Sequence, residues 1–113
     1  MANIDPTHAT LTVKIILATH DSPKGKLADA ELHFTAGPLV GLKLLGFGIW
    51  EARNGGRHVT FPARQYSADG KRRSFTLLRD ILGHVASDAV RDLILEAYAE
   101  AQATTEVPPA AVE

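Results

Sequence analysis

The chain contains no cysteine, which excludes disulfides and thiolate metal sites and fits a reducing compartment. It has no apolar run of membrane-spanning length. Its first residues, Met-Ala-Asn-Ile-Asp-Pro-Thr-His, lack the basic and apolar segments of a signal peptide. The expectation is a soluble, cytoplasmic protein with no membrane partner. The five histidines, His8, His20, His33, His58 and His84, show no ligand spacing, so no metal site is expected. A glycine-rich phosphate loop is missing too, because Gly46-Phe47-Gly48 falls inside a strand pattern instead of between strand and helix. No nucleophile elbow occurs, and closely spaced carboxylates recur only along one helix face. Together these absences argue against an enzyme, a cofactor and a small-molecule substrate.

What is present is one modest core's worth of residues: 113 in all, 45% apolar and 22% charged. The net charge of −1 conceals a segregation. Residues 41–80 hold 8 basic and 3 acidic residues, or +5, while residues 81–113 hold 1 basic and 6 acidic, or −5. Such a pattern suits an anionic partner at the middle segment and a solvated acidic face near the end.

The most informative stretch runs from Leu39 to Arg64. Asn54-Gly55-Gly56 separates two runs rich in β-branched and aromatic residues, a strong hairpin signal. A two-residue loop would set Ile49 opposite Thr60 and mix apolar with polar. A three-residue loop, Asn54 to Gly56, sets Ile49 opposite Phe61 and Phe47 opposite Ala63, gathering Phe47, Ile49, Val59, Phe61 and Ala63 on one face. That register predicts a type I turn with Gly56 in the left-handed region.

Residues 1–9 read as a flexible start. Leu11, Val13, Ile15 and Leu17 alternate with polar residues along a first strand, Thr10 to Thr19. A second runs from Lys26 to Ala36 with Ala28, Ala30, Leu32 and Phe34 inward. The third, Leu39 to Arg53, carries apolar groups on both faces and so reads as covered on each, Trp50 by the helix or by a twin subunit. Gly46 and Gly48 mark a bend, a close approach by another segment or subunit, or a ligand site. Pro62 fits the edge or end of a fourth strand, Ser67-Ala68-Asp69-Gly70 turns the chain, and Arg72 to Leu78 forms a fifth strand with Phe75 and Leu77 inward. Asp88 to Ala103 reads as a helix with Ser87 as its N-cap and Val90, Leu93, Ile94, Ala97, Tyr98 and Ala101 as its apolar stripe. Asp88, Asp92, Glu96 and Glu100 repeat every four residues on another side. The domain therefore spans 10–103, with 104–113, including Pro108-Pro109, read as a disordered tail. The fold class expected is α+β: a five-stranded antiparallel meander followed by one C-terminal helix.

Arg53, Arg57, Arg64, Lys71, Arg72, Arg73 and Arg79 form the basic set, with Tyr66 beside Arg64 as the one stacking candidate. Guanidinium groups suit phosphates, which supply most of non-specific nucleic-acid affinity. The same residues would also serve a solvated sheet edge kept basic to prevent edge-to-edge pairing. Phe47, Phe61 and Phe75 fall on inward faces and read as core.

The order of Asn54-Gly55-Gly56, Phe61-Pro62-Ala63-Arg64, Asp69-Gly70, Phe75 and the helix from Ala89 to Tyr98 resembles the SpoVG (stage V sporulation protein G) family of small regulators. The resemblance covers Leu39 to Tyr98, and more loosely the first two strands. It implies a homodimeric, non-enzymatic protein that binds DNA or RNA in septation, sporulation and gene regulation. Arg64 matches the basic residue after the family's proline, and Lys71-Arg72-Arg73 falls where the family has a charged segment. The chain departs from the pattern at Leu77 to Ile81, where the family often has an acidic residue and a His-Pro pair, and in its acidic helix. Leucine on both faces of the third strand also favours a homodimer. A rival expectation is an interaction or structural module that docks a partner through its sheet edge or the Trp50 face.

Overall fold

The computed structural model describes residues 10–106; the expected flexible start and 107–113 of the expected tail lie outside them. The fold is α+β, an antiparallel arrangement with one C-terminal helix. Four strands form a meander in chain order, β1 (Leu11–Leu17), β2 (Lys26–Phe34), β3 (Lys43–Glu51) and β4 (Arg57–Thr60). Two more, β5 (Ala63–Ala68) and β6 (Lys71–Thr76), pair only with each other, and α1 (Val85–Glu106) follows. No helix among the described residues is long and apolar enough to cross a membrane.

Alternation places the core. Val13 pairs with Leu32, Ile15 with Ala30 and Leu17 with Ala28, so the inward sides of β1 and β2 match across the ladder. Ala30 faces Phe47 and Ala28 faces Ile49 on the next strand. Over this face lies α1, whose Ile94 and Tyr98 are buried in one cluster with Ala28, Ala30, Leu32, Phe47, Ile49 and Val59. The acidic side of the helix at Asp92, Glu96 and Glu100 is exposed.

Four expectations are corrected. The first concerns the hairpin register: Ile49 faces Val59, not Phe61. Ala52 N–H donates to the Gly56 carbonyl (2.9 Å) and Gly55 N–H to the Ala52 carbonyl (3.0 Å), so the three-residue loop is Arg53 to Gly55. Gly55, with φ 87°, takes the left-handed position expected of Gly56, and Asn54 Oδ1 accepts the Gly56 N–H instead (2.9 Å). A two-residue displacement preserves the face, which is why burial tolerates it.

The second is the break at Pro62. One meander of five strands becomes a sheet of four and a ribbon of two, because Pro62 has no N–H for the ladder. Its carbonyl instead accepts the Leu77 N–H (2.8 Å). Gly46 permits the turn: φ is 109°, and a Cβ there would stand 2.8 Å from Pro62 Cβ. Two residues of β3, Leu45 and Gly46, oppose Glu31 alone between the Leu32–Leu44 and Ala30–Phe47 pairs, a β-bulge that bends the strand. Gly48 answers a different approach, since a Cβ would lie 2.7 Å from the Trp50 indole nitrogen. Ala63, expected in the core, is exposed beyond this break.

The third is the start of β3. Leu39, Val40 and Leu42 lie in a loop, with Val40 N–H bonded to the Gly37 carbonyl (3.1 Å) and Leu42 N–H to that of Leu39 (3.0 Å). Gly37 and Gly41 have φ of 82° and 91°, which holds the segment in turns and leaves the three aliphatic side chains exposed.

The fourth is the helix. It begins at Val85 and continues through 104–106, so the expected tail starts too early. Ser87 is not the N-cap: its N–H donates to Asp80 Oδ1 (2.8 Å), a carboxylate from the preceding loop.

Candidate nucleic-acid interface

The ribbon β5–β6 is built by its turn. Asp69 and Gly70 have φ of 54° and 74°, the pair of positive values that a two-residue hairpin of the primed type needs. Ala68 therefore faces Lys71, Ser67 faces Arg72, Tyr66 faces Arg73, Gln65 faces Ser74 and Arg64 faces Phe75. Directly opposed residues share a face, so the register sorts the ribbon into two sides. One carries Arg64, Tyr66, Lys71, Arg73 and Phe75. The other carries Gln65, Ser67, Arg72 and Ser74, with Gln65 Nε2 donating to Ser74 Oγ (3.3 Å).

Phe75 is the main correction among the aromatics. Expected inward, it is 47% exposed, against 1% for Phe47. Every residue of β5 and β6 is exposed except the half-buried Ala68, so alternation there sorts residues between two solvated faces. Leu77, also expected inward, is exposed for the same reason. Tyr66 is exposed as well. Arg79 reaches back from the loop after β6, its guanidinium 5.3 Å from the Phe75 ring centre.

The basic set is thus divided. Arg64, Lys71, Arg73 and Arg79 gather with Tyr66 and Phe75, while Arg72 points to the reverse side. None of the four ribbon cations (Arg64, Lys71, Arg72, Arg73) is in an ion pair with a described residue, and the one acid within the ribbon is Asp69 at its turn. Arg53 and Arg57 belong to the β3–β4 hairpin instead. Arg57 lies 4.9 Å over the Tyr98 ring and donates to Gln102 Oε1 (3.0 Å), so it is engaged by α1. Sequence spacing missed Phe75 because its parity was read against a core; its match in parity to Arg73 and Lys71 was the available signal.

The other polar groups pair with one another at the surface. His84 Nδ1 and Asp88 Oδ2 are 2.6 Å apart, and Arg91 donates to the same carboxylate (2.7 Å). The hydrogen bond to Asp88 raises the His84 pKa, and the same bond, helped by Arg91, lowers that of Asp88. On the sheet surface the His33 hydrogen bond holds the Glu31 carboxyl below its usual range, with Lys43 adding to it against partial desolvation. The Trp50 indole N–H donates to Thr60 Oγ1 (3.0 Å), and the Lys26 ammonium stands 5.5 Å over its ring. Among the described residues no group of three His, Cys, Asp or Glu side chains could hold a metal ion. The cleft between β1 and α1 is lined by Leu11, Val13 and Leu93 and by the carboxylates of Glu96 and Glu100, which repel phosphate. No family model, curated protein or solved structure matches the chain.

Proposed function

We propose that the protein is a non-enzymatic nucleic-acid-binding regulator that contacts phosphates through the β5–β6 ribbon. The observation that carries this reading is the cluster of Arg64, Lys71 and Arg73 on one exposed face, with Arg79 at its base and no carboxylate partner among the described residues. The resemblance to the SpoVG family points the same way, including a role in septation or gene regulation. Affinity for a labelled DNA or RNA should fall steeply with salt, because each phosphate contact releases counterions. Three or four contacts correspond to a log–log slope of about −2 to −4. Arg73→Ala should reduce that slope and Arg72→Ala should reduce it less. Binding indifferent to salt, or equally insensitive to both substitutions, would remove the proposal.

A second reading, self-association, rests on a different observation. Ile81, Leu82 and Val85 are 96%, 85% and 77% exposed, and Leu39, Val40, Leu42 and Leu45 are exposed as well. Isolated surface aliphatics are ordinary, but three so open within five residues suit a contact between two copies of the chain. The Trp50 face is a weaker candidate, since its indole is already hydrogen-bonded within the sheet. Sedimentation should show a dimer that Leu82→Asp dissociates; a monomer at micromolar concentration would exclude it.

A further inference from the structure

Resting on the phosphate-binding reading, we propose that the ribbon takes single-stranded nucleic acid, with bases stacked on Tyr66 and Phe75 and the phosphates between them held by Arg64, Arg73 and Lys71. The ribbon's two aromatic rings are the first reason. Tyr66 and Phe75 are 45% and 47% exposed, while Tyr98 and Phe47 are 4% and 1% exposed in the core. An exposed ring on a strand whose residues are exposed on both faces adds no core burial.

Register supplies the second. Tyr66 lies opposite Arg73 and Arg64 opposite Phe75, so each ring has a cation across the ladder and the two rings occupy one diagonal. Diagonal neighbours on an antiparallel pair stand about 7–8 Å apart, close enough for successive unstacked bases. Phe75 already accepts one planar group, the Arg79 guanidinium at 5.3 Å, and still keeps nearly half its surface open.

The chemistry of the ligand supplies the third. A duplex hides its base faces and offers edges, which are read by hydrogen-bonding side chains. Unpaired bases expose π-faces to aromatic and guanidinium planes. Hydrogen-bonding side chains of the first kind, Gln65, Ser67 and Ser74, lie on the ribbon's other face beside one cation, Arg72. Rings and most cations share the face suited to a single strand.

The test is a fluorescence-anisotropy titration of the full chain with a labelled oligothymidine and with a duplex of equal length. The single strand should bind more tightly. Tyr66→Ala and Phe75→Ala should each weaken its binding by about 5- to 150-fold, the range expected for one stacked base, with the salt slope unchanged. Tyr66→Phe and Phe75→Tyr should retain affinity, which separates stacking from misfolding. Duplex affinity equal to or above that of the single strand would overturn the inference, as would alanine variants that bind normally with salt dependence intact; phosphate binding would then stand alone. Loss of a dimer in those variants by sedimentation would reassign the face to self-association and also overturn it. If neither probe binds even at low salt, the phosphate-binding reading itself fails, and this inference with it.

Discussion

The four-stranded sheet with its helix and the two-stranded ribbon are made of similar alternating sequence, yet they end in opposite situations. In the sheet, Phe47 and Ile49 alternate into a face that Ile94 and Tyr98 cover. In the ribbon, Phe75 alternates with Ser74 and Thr76 just as regularly and meets solvent. One region is held by buried area, of order 25 cal/mol for each Å² removed from water. The other is held by ladder hydrogen bonds, a turn of correct hand and its anchor at Pro62. A two-stranded hairpin standing alone is marginal in water, so the anchor matters more to the ribbon than its own side chains do. The same lack of cover leaves its rings and cations available to a ligand.

The sharpest way to break this comparison is to remove the same side chain from each region. Phe47→Ala should cost about 3–5 kcal/mol through lost burial and a residual cavity. Phe75→Ala should cost under about 1 kcal/mol, the scale of an exposed cation–π contact. Urea denaturation of both variants checks the contrast, and similar losses would mean that the ribbon face is covered in solution.

Gly46→Ala should come next, at about 1–3 kcal/mol, because the new methyl meets Pro62 where φ is already 109°. Its distinguishing effect should be local. Amide exchange should quicken in β5 and β6 more than in β1 and β2, and a uniform change across both regions would deny the bulge its anchoring role. Asp80→Ala should cost about 1 kcal/mol as the loss of a helix cap, visible as a lower thermal midpoint, with Asp80→Asn retaining most of the stability.

The smallest effect is the pH dependence of the exposed His84–Asp88 pair. The raised His84 pKa contributes stability that is complete below about 6.5 and disappears as pH climbs through the folded-state value above it. The lowered Asp88 pKa contributes stability lost as pH falls through its depressed value. Stability of the parent relative to His84→Gln should therefore be greatest in mildly acidic solution and shrink toward alkaline pH. A difference that grew with pH would contradict the pairing.

Much of the body of the fold could be read from particular residues. Leu11, Val13, Ile15 and Leu17 lie on the side expected of them, and Ile94 and Tyr98 form the buried centre of the expected stripe. Asp69-Gly70 announced its turn because only certain residues adopt two successive positive φ values at low cost. The β3–β4 register was not legible: Asn54-Gly55-Gly56 offers two glycines for one left-handed position, and either choice buries the same side chains. Asp80 was equally hidden as a cap, since it reaches Ser87 only through the path of an intervening loop. Of the candidate site, the cations were visible as a cluster in sequence. Their partition between the ribbon, where Arg64, Lys71 and Arg73 share a face, and the β3–β4 hairpin, where Arg57 lies on Tyr98, was not.

The sequence by itself determined which residues can share a side of each strand and of the helix, because a period of 2 or 3.6 is a local property of the backbone. Only the tertiary structure decided which of those sides would be covered. Burial needs a second element opposite, and the bulge at Gly46 together with Pro62 carries β5 and β6 away from the helix that covers the others.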